Sequence, residues 1–323
     1  MSFNMPNLHN LEQGIPISLQ TDEEGLIGRE CPKEECEGYF KVKLGTGLLG
    51  KDLPCHCPYC GHSEGADHFW TKEQIEYARS IAINKVADAL EKDMKSLEFD
   101  IKPKGAFGIG MSLKYQRGTP VPIRYYREKA LETKVICDAC TLEYAVYGVF
   151  AFCPDCRKHN SLQILKKNID LVRKQLILSS HQEDTDMRRY LVEDALENCI
   201  SAFDGFARES CRVRIAKSTD PNRATNISFQ NIAKASGTIK VLYGIDLERL
   251  VKTEEWKQII IGFQKRHLIA HRSGVVDEQY ISATGENPMT LGHKISLAEE
   301  EVSQLANLIV DLGEKLLTAL PLP

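Results

Sequence analysis

The chain has 323 residues, 42% of them hydrophobic and 27% charged, with a formal net charge of −4. These values describe a globular chain long enough for two or three domains, and they exclude a generally basic protein that coats nucleic acid. The N-terminus, MSFNMPNLHNLEQG, has no basic region followed by an apolar run, and no apolar run reaches membrane-span length. A cytoplasmic protein without membrane contact is expected.

Eleven cysteines in a chain without a secretion signal point to metal rather than disulfides, because nine of them fall in close groups. Residues up to about Gly25 have weak periodicity and read as a loose arm. CPKEEC then places Cys31 and Cys36 before a short alternating strand, YFKVKL, and CHCPYCG supplies Cys57 and Cys60. The C-P-x-C-G turn leaves backbone N–H groups free to bond thiolates, and Gly61 accepts a left-handed conformation. Cys31, Cys36, Cys57 and Cys60 close a tetrahedral zinc site. Cys55 is left over; Cys55-x4-Cys60 is an alternative pairing, and His56 or His62 an alternative ligand.

Gly45, Gly47 and Gly50 in LGTGLLGK match a dinucleotide-binding fingerprint by letter. That fingerprint needs a following helix, and the segment lies between two ligand pairs with no room for one, so a ribbon loop is expected. Thr71-Lys72-Glu73-Gln74 spells a capping box for a helix of about twenty-five residues ending before Pro103. FGIGMSLKY and VPIRYY, within residues 106–127, read as strands.

Between Asp100 and Lys134 the chain is locally basic: Lys102, Lys104, Lys114, Arg117, Arg124, Arg127, Lys129 and Lys134 outnumber Asp100, Glu128 and Glu132. With Tyr115, Tyr125 and Tyr126 interleaved, Lys114, Arg117, Arg124 and Arg127 are candidate contacts for single-stranded nucleic acid, where cations track phosphate and rings stack on bases. A solvated strand face accounts for the same residues.

Cys137-x2-Cys140 and Cys153-x2-Cys156 flank LEYAVYGVFAF, a zinc-ribbon pattern of two knuckles joined by strand-forming residues. Four thiolates leave no position open for water, so both metals are structural: two zinc ions, and no catalytic metal.

From about Ser161 helix formers dominate. SLQILKKNIDLVRKQLIL is one helix and TDMRRYLVEDALENCISAFDGFARESCRVRI a longer one, with Cys199 and Cys211 as buried thiols. TDPNRATN is a loop, NISFQNIAKASG a short irregular segment and SATGENPMTLG another loop. Ser296-Leu297-Ala298-Glu299 offers a capping box for a final helix through Leu317.

The intervening helix, WKQIIIGFQKRHLIAHRSG, aligns Trp256, Ile259, Ile260, Phe263 and Ala270 on one stripe, with Gly274 as its stop. His267 and His271 lie within or beside that stripe, and Arg266 sits about 140° from His271. Zinc binding by His267 and His271 at i, i+4 is the rival reading, but Leu268, Ile269 and Ala270 between them lack the glutamate of an H-E-x-x-H metalloprotease. The Arg266-x4-His271 spelling, with polar His267 after the arginine, resembles the R-x4-6-H signature of HEPN-domain ribonucleases, and QKRHLIAHRSGVVDEQY is similar to that family's motif region. The resemblance implies a HEPN-like bundle in the C-terminal half and a homodimer whose stripes pack together. It also implies RNA cleavage by Arg266, His271 and His267 without a catalytic metal, a toxin or antiphage defence setting, and a regulatory protein or nucleic-acid trigger. His271 is followed by Arg272 and Ser273 rather than the H-x-Y of toxins paired with a nucleotidyltransferase, which argues against regulation by adenylylation.

The expected fold class is α+β multidomain: two small zinc-ribbon β modules with a linking helix, followed by an all-α HEPN-like helical bundle. The expected divisions are 1–70, 71–160 and 161–323. The alternative function is a non-catalytic zinc-ribbon module that binds nucleic acid or protein, with a helical dimerisation domain.

Overall fold

The fold is that of a computed structural model, which describes residues 5–48, 53–102, 111–131 and 133–322. The chain forms two compact units that divide between Lys158 and His159. The expected division after residue 70 is absent, because strands from both sides of it share one sheet.

That sheet has four antiparallel strands in the order β1 (Leu26–Glu30), β2 (Tyr39–Lys43), β8 (Glu143–Val146), β7 (Thr133–Ile136). It consists of two hairpins, each with a cysteine knuckle at its turn: Cys31 to Cys36 between β1 and β2, and Cys137 to Cys140 between β7 and β8. They join through β2 and β8, where Lys41 faces Ala145 and Val42 faces Tyr144. Lys41 lies five residues after Cys36, and Ala145 five after Cys140. The join is therefore a pseudo-two-fold relation between two copies of one ribbon. Its interior holds Phe40, Phe69, Val135, Leu142, Tyr144 and Val146, all buried.

A small hairpin, β3 (Pro54–His56) with β4 (Ser63–Gly65), carries the Cys57 to Cys60 knuckle. Helix α2 (Lys72–Lys95) starts where expected: Gln74 N–H donates to Thr71 Oγ1 at 3.1 Å and Thr71 N–H to Gln74 Oε1 at 3.2 Å. The N-terminal arm is anchored rather than loose. Its helical turn α1 (Pro6–His9) donates Asn7 and Leu8 N–H groups to the Asp93 carboxylate, and Lys85 Nζ donates to the Pro16 carbonyl.

Of the strands expected in 106–127, β6 (Met111–Leu113) forms and pairs with β5 (Phe99–Ile101); residues 106–110 lie outside the described residues. VPIRYY is not a strand. Pro120 and Pro122 remove ladder donors, and the segment instead follows α2 through side chains. Asn84 bonds both backbone groups of Val121, and Ser80 Oγ accepts from Arg124 N–H.

The second unit is helical: α3 (Ser161–Ser180), α4 (Thr185–Arg212), the short α5 (Pro221–Thr225), α6 (Ile232–Tyr243), α7 (Thr253–Arg272), α8 (Glu278–Thr284) and α9 (Glu299–Ala319). Its core is continuous from Leu165 and Ile169 through Cys199, Ile200 and Phe203 to Ile309 and Leu312. Phe203 stands edge-on to both Phe229 and Phe263, which ties α4 to α7. NISFQNIAKASG is more ordered than expected. Asn231 Oδ1 caps α6 by accepting from Lys234 N–H, and Ile232, Ala235 and Ile239 are buried. The last capping position also moves. Glu301 accepts from Ala298 N–H at 3.1 Å, so α9 begins at Glu299 and not after Ser296.

Candidate functional site

Two groups of four cysteines bring their sulfurs within 4.8 Å of one another: Cys31, Cys36, Cys57, Cys60 and Cys137, Cys140, Cys153, Cys156. Between the knuckles of each group, sulfurs lie 3.7 Å apart (Cys31–Cys60, Cys36–Cys57) or 3.6 and 3.4 Å apart (Cys137–Cys156, Cys140–Cys153). A tetrahedral thiolate site with metal–sulfur bonds of about 2.3 Å has sulfur–sulfur edges of about 3.8 Å, so both groups fit a four-coordinate ion. These are four-cysteine clusters resembling zinc ribbons, and each could hold a structural metal.

Local backbone chemistry explains why they form. The residue after the second cysteine of every knuckle is left-handed: Glu37 at φ 43°, Gly61 at 70°, Thr141 at 64° and Arg157 at 59°. That turn lets Gly61, Thr141 and Arg157 N–H groups bond back to the carbonyls of Cys57, Cys137 and Cys153. Three of the four positions are not glycine, a strained choice that a closed knuckle holds in place. Cys55 lies in β3 outside the sulfur group, and burial pushes its thiol up to about 12. Gly45 and Gly47 occupy a turn after β2 with φ of 84° and 78°, and Gly50 lies outside the described residues.

The basic segment is largely neutralised by acidic side chains. Arg117 pairs with Asp88 at 2.6 Å and Glu91 at 3.2 Å, Arg124 with Glu76 at 2.7 Å, Lys129 with Glu73 at 4.0 Å and Lys134 with Glu24 at 2.5 Å. Tyr126 packs edge-on to Tyr77. Lys114, Arg127 and Tyr125 remain exposed, while Lys104 and Glu132 lie outside the described residues.

Helix α7 departs from its predicted wheel in an informative way. Trp256, Ile259 and Phe263 are buried as expected, but in the last two turns the buried residues are Lys265 and Leu268, on the other side of the helix. The cause is α8. Leu268 packs with Val276 and Tyr280, and Lys265 Nζ donates to the Ser296 carbonyl and to both Glu301 oxygens at 3.0 Å. The expected stripe is therefore uncovered where it carries His267, Ala270 and His271. Ala270 and His271 are exposed and His267 is half-buried. The two imidazoles lie 4.9 Å apart between ring centres.

Arg266 stands beside this edge with its side chain 14% exposed, and it is held by a residue that the sequence did not single out. Its Nε donates to Glu197 Oε2 at 2.5 Å and its Nη2 to Glu197 Oε1 at 2.6 Å. These bonds, with the nearby charges of Arg266 and His271, hold the Glu197 carboxyl below the usual range despite its partial burial. In the sequence Glu197 is one acid among several on the outer face of α4, and nothing local distinguishes it from Glu193 or Asp194. The structure thus groups Arg266, His267, His271 and Glu197 at one edge of the bundle. Among the described residues, no helix is long and apolar enough to cross a membrane. Compared with known proteins, the chain matches no family model, no curated protein and no solved structure.

Proposed function

We propose that the chain is a metal-independent endoribonuclease of HEPN type, acting as a homodimer, with zinc in both four-cysteine sites as structural metal. The observation that carries this reading is the uncovered edge of α7, where His267 and His271 lie side by side next to Arg266. An apolar stripe that ends in two histidines and an open alanine suits packing against its own copy. A two-fold axis there would place each Arg266 near its partner's histidine.

RNA carries its own nucleophile, the 2′-hydroxyl beside each phosphodiester. The reaction needs a group to take that proton, cations to stabilise the phosphorane and a proton for the leaving 5′-oxygen. Histidine exchanges protons near neutrality, so His271 serves as base or acid across the dimer. Arginine keeps its charge and presents a fork to phosphate oxygens, which is the role of Arg266. His267 orients the phosphate. A toxin or antiphage defence setting follows from the resemblance, and RNA is the partner.

The Arg266–Glu197 ion pair favours a second reading, because a purely structural salt bridge has the same geometry. In that reading the helical unit only dimerises, and the metal-bearing unit binds nucleic acid or protein. Incubating the full chain with a single-stranded RNA, a 2′-deoxy counterpart and EDTA separates the two. The nuclease reading expects cleavage of RNA alone, with 2′,3′-cyclic phosphate ends, lost in His271→Ala and Arg266→Ala. Cleavage of the 2′-deoxy strand would overturn the mechanism, and intact RNA under all conditions would favour the binding module.

A further inference from the structure

We infer that Glu197 is the positioning residue of the arginine–histidine site, fixing Arg266 so that the free edge of its guanidinium is turned to a substrate phosphate. This rests on the ribonuclease reading above. A guanidinium has five N–H donors in a rigid plane. Glu197 engages two of them, Nε and one on Nη2, through both carboxylate oxygens at 2.5 and 2.6 Å. The donors that remain, on Nη1 and the outer side of Nη2, form a second fork in the same plane. Among the described residues no other carboxylate pairs with Arg266.

Two features make this more than a surface ion pair. The Arg266 side chain is largely buried, and Glu197 sits on a regular stretch of α4, the helix whose Phe203 packs against Phe263 of α7. The carboxylate is therefore a fixed point, further held by a hydrogen bond from Ser201 Oγ at 3.3 Å. A long arginine side chain clamped in this way has lost its rotamer freedom before substrate arrives, which is the preorganisation that transition-state stabilisation needs. The carboxylate also places a negative charge near the approaching polyanion and so weakens ground-state binding. Glu197 thus raises turnover without tightening RNA binding.

That split is the test. With the zinc-loaded full chain, Glu197→Gln is expected to lower kcat for a single-stranded RNA by about ten- to a hundredfold while KM stays level or falls. In an Arg266→Lys background, which keeps the charge but lacks the Nε–Nη2 fork that Glu197 grips, the same substitution is expected to change the remaining kcat less than twofold, because Glu197 acts through that fork. A merely structural glutamate would lower thermal stability in the wild-type background and leave kcat of the folded fraction unchanged, which would overturn the positioning role while leaving the nuclease intact. A second arm does not depend on turnover. Arg266 Nε–H is observed by NMR in 15N-arginine-labelled protein during titration with a 2′-O-methyl RNA. A shift in the wild type that is lost in Glu197→Gln supports the inference, and a shift equal in both overturns it. If the wild type neither cleaves RNA nor shows the shift, the nuclease reading falls and the positioning role falls with it.

Discussion

The backbone N–H of His56 donates to the carbonyl of Pro154 at 2.7 Å, and the same relation runs in reverse from Phe152 N–H to the Pro58 carbonyl at 2.8 Å. Each bond joins the residue before one C-P-x-C knuckle to the proline inside the other. The two four-cysteine clusters are therefore linked by backbone hydrogen bonds as well as by the β2–β8 join. Cys57→Ser is expected to loosen both sites, with metal leaving the Cys137 site at least about tenfold faster under chelator competition. The wild type is expected to release both ions in one phase. Unchanged release from the second site in Cys57→Ser would show that the ribbons are independent.

Two helix glycines are expected to respond to alanine with opposite signs. A Cβ at Gly313 of α9 would lie 2.8 Å from Leu165 Cδ2 and 3.2 Å from Phe206 Cε1, inside the core. Gly237 of α6 would place its Cβ in open space. Gly237→Ala should stabilise by about 0.5–1 kcal/mol through helix propensity. Gly313→Ala should lose that gain to overpacking and end about 1 kcal/mol less stable. Urea unfolding followed by circular dichroism reads both; two shifts of the same sign would contradict the packing.

Glu209 ties stability to acid. Burial alone would raise its carboxyl, but hydrogen bonds from Arg212 and His159 hold it down to about 2. A depressed carboxylate contributes stability that is complete above its unfolded value and is lost as pH falls toward the folded one. Glu209→Gln is expected to cost on the order of 3 kcal/mol near neutrality, a deficit that closes below about pH 4 and is largely gone by about pH 2. Denaturation curves at pH 7 and pH 3 check this, and a pH-independent deficit would assign the effect to packing.

RNA binding by the first unit would use the cations that have no acidic partner among the described residues, such as Lys114 and Arg127. Replacing Lys114 and Arg127 together by alanine is expected to reduce the salt slope of RNA affinity by about 1.4, while Arg117→Ala, already paired with Asp88 and Glu91, should leave it unchanged. Fluorescence anisotropy between low and moderate salt measures the slopes. Equal loss for Arg117→Ala would mean that its ion pairs open on binding.

Sequence by itself determined the features that depend on near neighbours. The cysteine knuckles, the Thr71–Gln74 capping box and the helical course of α3, α4 and α7 are all written in spacings of a few residues, and backbone geometry turns such spacings directly into structure. Tertiary structure decided what depends on elements far apart in the chain. Glu197 meets Arg266 across 69 positions, and no local pattern marks that partner. The basic stretch loses its excess charge to acids of α2 and the N-terminal segment. The stripe of α7 is open at His267 and His271 because α8 and the start of α9 cover the opposite side of its last two turns. Helical periodicity shows which residues share a face, but only the packing of other elements determines which face is buried.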